Sequence, residues 1–262
     1  MTASMRDMSV GRDSKAWRGL IVPLALLALW QLIAARGLVS PLVLPTPVQV
    51  LHALKALAAS GLLAQSLAIS LQRLLYGYAI GVAIGLVLGV LLATSPLARK
   101  LIAPSFYAIA RIPLLAWIPF LIVVFGLGEP LKLFIIAKAA LTPVTINTER
   151  AIAAISSGWR ELGRLYGLPI LTTAFKILLP ATLLPIFVGL RFGLVQAWSA
   201  LVVVELLAAS AGLGYQLTMS RQLFQLDTMM ALMLVIGVTG LAMDWLLAAS
   251  ERRLVSRYGG GA

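Results

Sequence analysis

Apolar runs of about 17–30 residues follow one another along this chain, each closed by prolines, glycines or basic clusters. Runs of that length predict spanning helices, because lipid offers no partner to an unpaired backbone group. Period-2 alternation, the mark of a membrane β-barrel, does not occur over the lengths a barrel strand needs. The predicted fold is therefore an all-α polytopic membrane protein with about six transmembrane helices. The spans are placed at about 19–35, 76–92, 112–127, 131–148, 182–209 and 228–249. They form one transmembrane unit over 19–254, with polar tails at 1–18 and 255–262.

Between the spans the pattern changes character. Pro41, Pro45 and Pro47 forbid regular helix after the first span, and a short amphipathic helix is expected around Val48–Ala59. Gln65 to Ala93 reads as one long helix carrying Gly77, Gly81, Gly85 and Gly89, all on one slowly drifting face. Glycine at that spacing lets a second helix approach closely, so this is a packing stripe. Leu101–Arg111 is expected at the interface, and Pro113 and Pro119 predict a kinked third span. Gly212–Gln225 reads as a polar turn region.

The longest polar interruption is the loop at 149–176, with Glu161–Pro180 at its heart. Ser157 to Phe175 fits one or two short helices. Arg160, Glu161 and Arg164 share one helical side, and Trp159, Leu162, Leu165 and Tyr166 add apolar surface. Gly167-Leu168-Pro169 then forces a turn. On pattern alone, a docking surface for a cytoplasmic protein and an interfacial helix on anionic lipid fit equally well.

Composition agrees with the membrane reading: 61% of residues are hydrophobic and 11% charged, with mean hydropathy +0.99, against roughly 25% charged in soluble domains. The net charge of +12 is read as basic cytoplasmic loops, not as a nucleic-acid surface. With both termini inside, one side collects Arg6, Arg12, Lys15, Arg18, Arg99, Lys100, Arg150, Arg160, Arg164, Lys176, Arg252, Arg253 and Arg257. The other side holds Arg36, Lys55, Lys132 and Arg221, with Arg73 at its border. Both termini and the 149–176 loop are thus expected in the cytoplasm. The absence of cysteine excludes disulfides and thiolate chemistry, and the single histidine, His52, excludes a two-histidine zinc site. No metal site is expected. The N-terminal apolar run is long for a signal peptide, so an uncleaved first span is expected.

The loop also carries a family signature. It resembles the membrane subunits of ABC importers, in which Glu-Ala-Ala is followed by Gly six positions after the Glu, then by Ile-x-Leu-Pro. Here Glu161, Gly167, Ile177, Leu179 and Pro180 stand at that spacing, while Leu162 and Gly163 replace the two alanines. The stretches LPTPVQVL, SLQRLLYGYAIGVAIGLVLG, RIPLLAWIPFLIVVFGLGEPLK, AWSALVVVELLAASAGLGY and DWLLAASERRL resemble the branch serving sulfonate, taurine and nitrate import. Together they cover most of residues 44–254. The resemblance implies a type I ABC importer-like transmembrane domain in a bacterial inner membrane. It also implies a homodimer of this subunit, a cytoplasmic ABC ATPase docked on Trp159, Arg160, Glu161, Leu162, Gly163, Arg164, Tyr166, Gly167, Ile177, Leu179 and Pro180, and an extracytoplasmic solute-binding protein. The chain has no GxxxxGK[ST] phosphate loop. It is therefore expected to be no enzyme and to bind no cofactor, ATP being used by the partner subunit.

Ionisable groups at membrane depth are candidate functional groups. Arg191 and Glu205 on the fifth span lie within about 40° of one face and about 21 Å apart along the axis. With Gln196, Trp198 and Ser199 they make that span the candidate pathway-lining helix, although structural contacts explain the same stripe equally well. Arg73, Arg111, Lys138 and Arg191 outnumber Glu205 and Asp244 in the interior set, which suits a small anionic solute. Asp244 is expected to pair with a basic group. The alternative function is a secondary transporter or channel without an ATPase partner. It leaves the large basic loop unexplained, and no internal repeat supports it.

Overall fold

A computed structural model describes residues 18–37, 39–40, 43–154 and 179–258, with backbone alone at residues 18–20, 179–181 and 253–258. Every regular element among the described residues is helical: α1 (Arg18–Ala35), α2 (Pro47–Ala59), α3 (Leu62–Thr94), α4 (Pro96–Leu101) and α5 (Ala103–Ala110). They are followed by α6 (Leu114–Phe125), α7 (Glu129–Ala153), α8 (Leu179–Ala208), α9 (Leu213–Gln222) and α10 (Leu226–Tyr258). Four of these, α3, α7, α8 and α10, are long and apolar enough to cross a membrane, and α5 with α6 makes a fifth if counted as one broken span. The apolar Ile21–Ala35 part of α1 is shorter. The architecture is all-α.

Local chemistry sets the helix ends. Thr46 and Gln49 form a reciprocal capping box at the start of α2, with Pro47 in the first turn where its missing N–H costs nothing. Trp30 Nε1 of α1 donates to the Pro45 carbonyl at 3.0 Å and fixes the chain's entry into α2. Ser95 stops α3 in extended backbone and caps α4 through the Ala98 N–H. The prolines of the third span act differently from the expected single kink. Axes of α5 and α6 turn by 100° at Arg111–Pro113, because Pro113 disfavours helix at the preceding Ile112 and has no N–H to donate. Pro119 is carried inside α6.

Helix α7 is the central post: 56% of its apolar window is buried, against 11% for α10. On one side Gly77, Gly81, Gly85 and Gly89 of α3 lie against it, all four buried. A Cβ at Gly77 would meet Ile136 Cβ at 2.6 Å, one at Gly85 Val144 at 3.0 Å, and one at Gly89 Thr148 at 2.6 Å, while Gly81 faces the Ala137 carbonyl and Ala140. Ile136, Ala140, Val144 and Thr148 recur every four residues, so two period-4 rows interlock. On the other side Gly189 and Gly193 of α8 seat on Asn147 and Val144. The main core gathers Leu74, Ile136, Ala140, Ala197, Trp198, Leu201, Leu213 and Leu232 from α3, α7, α8, α9 and α10.

The region read as a polar turn holds a ten-residue helix, α9. Gly212, at φ +111°, turns the chain, and fully buried Leu213 anchors the new helix in the core. Outward from the bundle, α10 presents Leu234, Val238, Leu241, Trp245 and Leu246, as a helix with one face in lipid must.

Candidate functional site

Trp159, Arg160, Glu161, Leu162, Gly163, Arg164, Tyr166, Gly167 and Ile177 lie outside the described residues, and Leu179 and Pro180 open α8. The charged groups predicted within the spans are described, and they fall into two paired clusters and one cavity.

The first cluster stands where α7 begins and α8 ends. Glu205 is 1% exposed. Arg73 Nη1 of α3 donates to Glu205 Oε1 at 2.8 Å and to the Ala211 carbonyl at 2.5 Å. Its Nε and Nη2 grip Glu129 of α7 at 2.9 and 2.7 Å, a bidentate pair. Lys132 Nζ reaches the same Glu129 at 2.7 Å. The Ser70 hydroxyl donates to the Glu205 carboxylate, 2.8 Å from Oε2, and accepts the Leu213 N–H at 2.9 Å. The Gly214 N–H donates to Glu205 Oε2 at 3.0 Å. A Cβ at Gly212 would strike the Glu205 carboxylate, and one at Gly214 would meet Glu205 Cβ at 2.6 Å. Glycine at both positions lets the backbone wrap that carboxylate. Two acids and two bases balance, and the Glu205 carboxylate is fully satisfied within the protein, so the cluster is a clasp joining α3, α7, α8 and α9.

Arg191 joins α8 to α10. Its Nε and Nη2 donate to Asp244 at 2.5 and 2.7 Å, and Nη1 stands 3.9 Å from Glu251. Asp244 thus finds its basic partner on the neighbouring helix. Because so little of α10 is buried, this pair is a principal polar tie holding it to α8. Arg191→Asp or Asp244→Arg alone is expected to lower the yield of folded subunit after detergent extraction. Combining them restores the opposite pairing and should recover most of that yield, as size-exclusion profiles would show. Equal losses in single and double variants would count against the tie.

The cavity lies on the opposite face of α8. At 100° per residue, Glu205 is about 180° around the helix from Gln196. Gln196 and Ser199 line a space of about 450 Å³ together with Phe192, Ala200 and Val203 of α8, Lys138, Ala139, Thr142, Pro143 and Ile146 of α7, and Ala110–Leu115 at the α5–α6 corner. Of the four polar or charged residues read from sequence as pathway candidates, Gln196 and Ser199 meet in this cavity, while Arg191 and Glu205 face α10 and α3. Trp198 packs in the core with its indole against Gly240. Sequence reading did not bring Ser70, Glu129, Lys132 and the 211–214 turn into one cluster. The available signal was an arginine and a glutamate, Arg73 and Glu205, both within apolar helices with no partner nearby in sequence.

The comparisons with known proteins agree with this architecture. Residues 81–256 match the family described as binding-protein-dependent transport system inner membrane component. The putative aliphatic sulfonates transport permease protein SsuC of Bacillus subtilis (strain 168) is 35% identical over 94% of this chain and 89% of its own length. The taurine transport system permease protein TauC of Escherichia coli (strain K12) is 31% identical over 89% of this chain and 87% of its own. Among solved structures, an amino acid ABC transporter crystallised with histidines superposes with a TM-score of 0.65 at 20% identity, over 76% of this chain and 97% of that one; at that identity the likeness speaks for the fold. A multi-pass helical bundle whose sequence matches permeases along nearly its whole length has one placement: the chain belongs to the family of binding-protein-dependent transport system inner membrane components.

Proposed function

We propose that this permease subunit passes a small anionic solute of the sulfonate, taurine or nitrate type through the membrane, driven by a separate ATPase. The observation that carries this reading is the match to sulfonate and taurine permeases over most of both lengths. The loop centred on Glu161, Gly167, Ile177, Leu179 and Pro180 is the docking surface for the ATPase, with Trp159, Arg160 and Tyr166 as its contact side chains. ATP is hydrolysed in that partner, since this sequence has no phosphate loop. A solute-binding protein delivers the cargo to the outer face, and two copies of the chain enclose the pathway. The basic bias of the 149–176 loop and both tails supports a cytoplasmic location for them in a bacterial inner membrane. The pathway follows the Gln196 and Ser199 face of α8, while Arg191 and Glu205 brace that helix from behind.

Co-purification tests the coupling. The wild-type chain is expected to bring an ATPase subunit through affinity purification, and Glu161→Lys with Gly167→Pro to lose it while the permease stays in the membrane fraction. Solute uptake that persists with no ATPase present would instead establish a secondary transporter or channel.

A further inference from the structure

Resting on the anion-importer reading, we propose that the cavity between the α5–α6 corner, α7 and α8 is a transit subsite for the solute's oxyanion head. Lys138 supplies its main charge, Gln196 a neutral donor, and Arg111 a second charge at the mouth.

Charge pairing separates this cavity from the clusters around Arg73 and Arg191. Arg73, Lys132 and Arg191 each hold a carboxylate within hydrogen-bonding distance. Among the described residues Lys138 and Arg111 make no ion pair, and no Asp or Glu lines the cavity. Lys138 stands nine residues into α7, about 13 Å along the axis from its start, well inside a helix long and apolar enough to cross a membrane. An uncompensated ammonium at that depth costs several kcal/mol, so its presence calls for a counter-charge that the described residues do not provide.

Its immediate contact is the Trp117 ring, 5.2 Å from Nζ to the centroid. The ring face stabilises and aims the ammonium without neutralising it, leaving its full charge to a ligand. The Gln196 side chain is exposed to the cavity and makes no hydrogen bond among the described residues. The Ser199 and Thr142 hydroxyls already donate to the Val195 and Lys138 carbonyls, so the free donors are Lys138, Arg111 and the Gln196 amide. Donors of that kind suit a sulfonate or nitrate group, which only accepts hydrogen bonds. A volume of about 450 Å³ falls in the usual range for small-ligand sites, and its open side lets a solute leave again. A solute that must move on is served by a site with few contacts.

The test uses the complete transporter, with its ATPase and binding protein, in proteoliposomes, with labelled taurine, ethanesulfonate and nitrate as probes. The readouts are uptake at saturating solute per assembled complex and solute moved per ATP hydrolysed. Wild type is expected to accumulate at least one probe. Lys138→Gln should lose about tenfold or more in solute moved per ATP, as expected for a lost charged hydrogen bond, with Lys138→Arg largely retaining it. Gln196→Leu and Arg111→Gln should show smaller losses. A wild-type complex that moves none of the probes and whose ATPase they do not stimulate overturns the importer reading and the subsite with it. A working wild type whose Lys138→Gln variant matches it in solute per ATP overturns the subsite alone, leaving Lys138 a packing residue against a second copy. Should Lys138→Gln fail to assemble, Gln196→Leu and Arg111→Gln decide: wild-type values in both overturn the proposal.

Discussion

Glu205→Ala is expected to cost the folded subunit about 3–5 kcal/mol, the usual loss when one member of a buried ion pair is removed. The residue is fully buried, and its carboxylate takes hydrogen bonds from Arg73, Ser70 and Gly214 at once. Without it, Arg73 is left with Glu129, which Lys132 also claims, and the cluster carries an unbalanced positive charge. The Gly214 N–H and the Ser70 hydroxyl lose their acceptor in the same step. Glu205→Gln keeps an oxygen in place for these two donors and gives up only the charge, so it should fall between alanine and wild type. Thermal unfolding of the detergent-purified subunit should rank them wild type, Gln, Ala. Coincident unfolding curves for all three would show that the clasp contributes nothing to stability.

Closing the α3–α7 approach should be the other severe change. Gly81→Ala is expected to cost more than the roughly 1–3 kcal/mol typical of overpacking, because the obstacle is the Ala137 carbonyl of α7. Backbone in the middle of a helix cannot rotate aside. At Gly85 the obstacles stand farther off, Val144 Cβ and Cγ1 at 3.0 Å and the Leu141 carbonyl at 3.1 Å from the added carbon, so a shift of a few tenths of an ångström relieves them. Gly85→Ala should therefore be milder than Gly81→Ala. Gly237 of α10 has nothing within 4 Å, and Gly237→Ala should be silent in the same subunit. Folded yield by fluorescence-detected size exclusion orders the three. Indistinguishable Gly81→Ala and Gly237→Ala profiles would mean that the stripe does not set the interhelical distance.

These two regions differ in how legible they were. The glycine stripe is a local pattern: four residues at a spacing of four declare a close-approach face whatever the partner. Its partner row, Ile136, Ala140, Val144 and Thr148, is ordinary in composition and could be matched to it only in three dimensions. The Arg191 and Glu205 stripe shows the complementary limit. Helical geometry places both on one side of α8, yet the direction of that side is set by packing, with α10 and α3 supplying the carboxylate and the guanidinium. The cavity residues Gln196 and Ser199 lie on the other side. Lys138, an isolated cation in an apolar stretch, was visible as a charge at membrane depth, but the absence of a counter-charge beside it among the described residues was not.

By itself the sequence determined the class of the protein: long apolar runs, no cysteine, one histidine and basic loops admit a helical multi-pass membrane protein and little else. Those features are one-dimensional, since lipid solvates each helix independently of its neighbours and hydropathy reads that solvation directly. Tertiary structure decided which charges are spent and which are free. Arg73 and Arg191 are neutralised by residues 56 and 53 positions away, whereas Lys138 faces an aromatic ring and an open cavity. Coulomb attraction and hydrogen bonding act over a few ångströms of space, and whether a buried charge is balanced depends on what folding brings beside it.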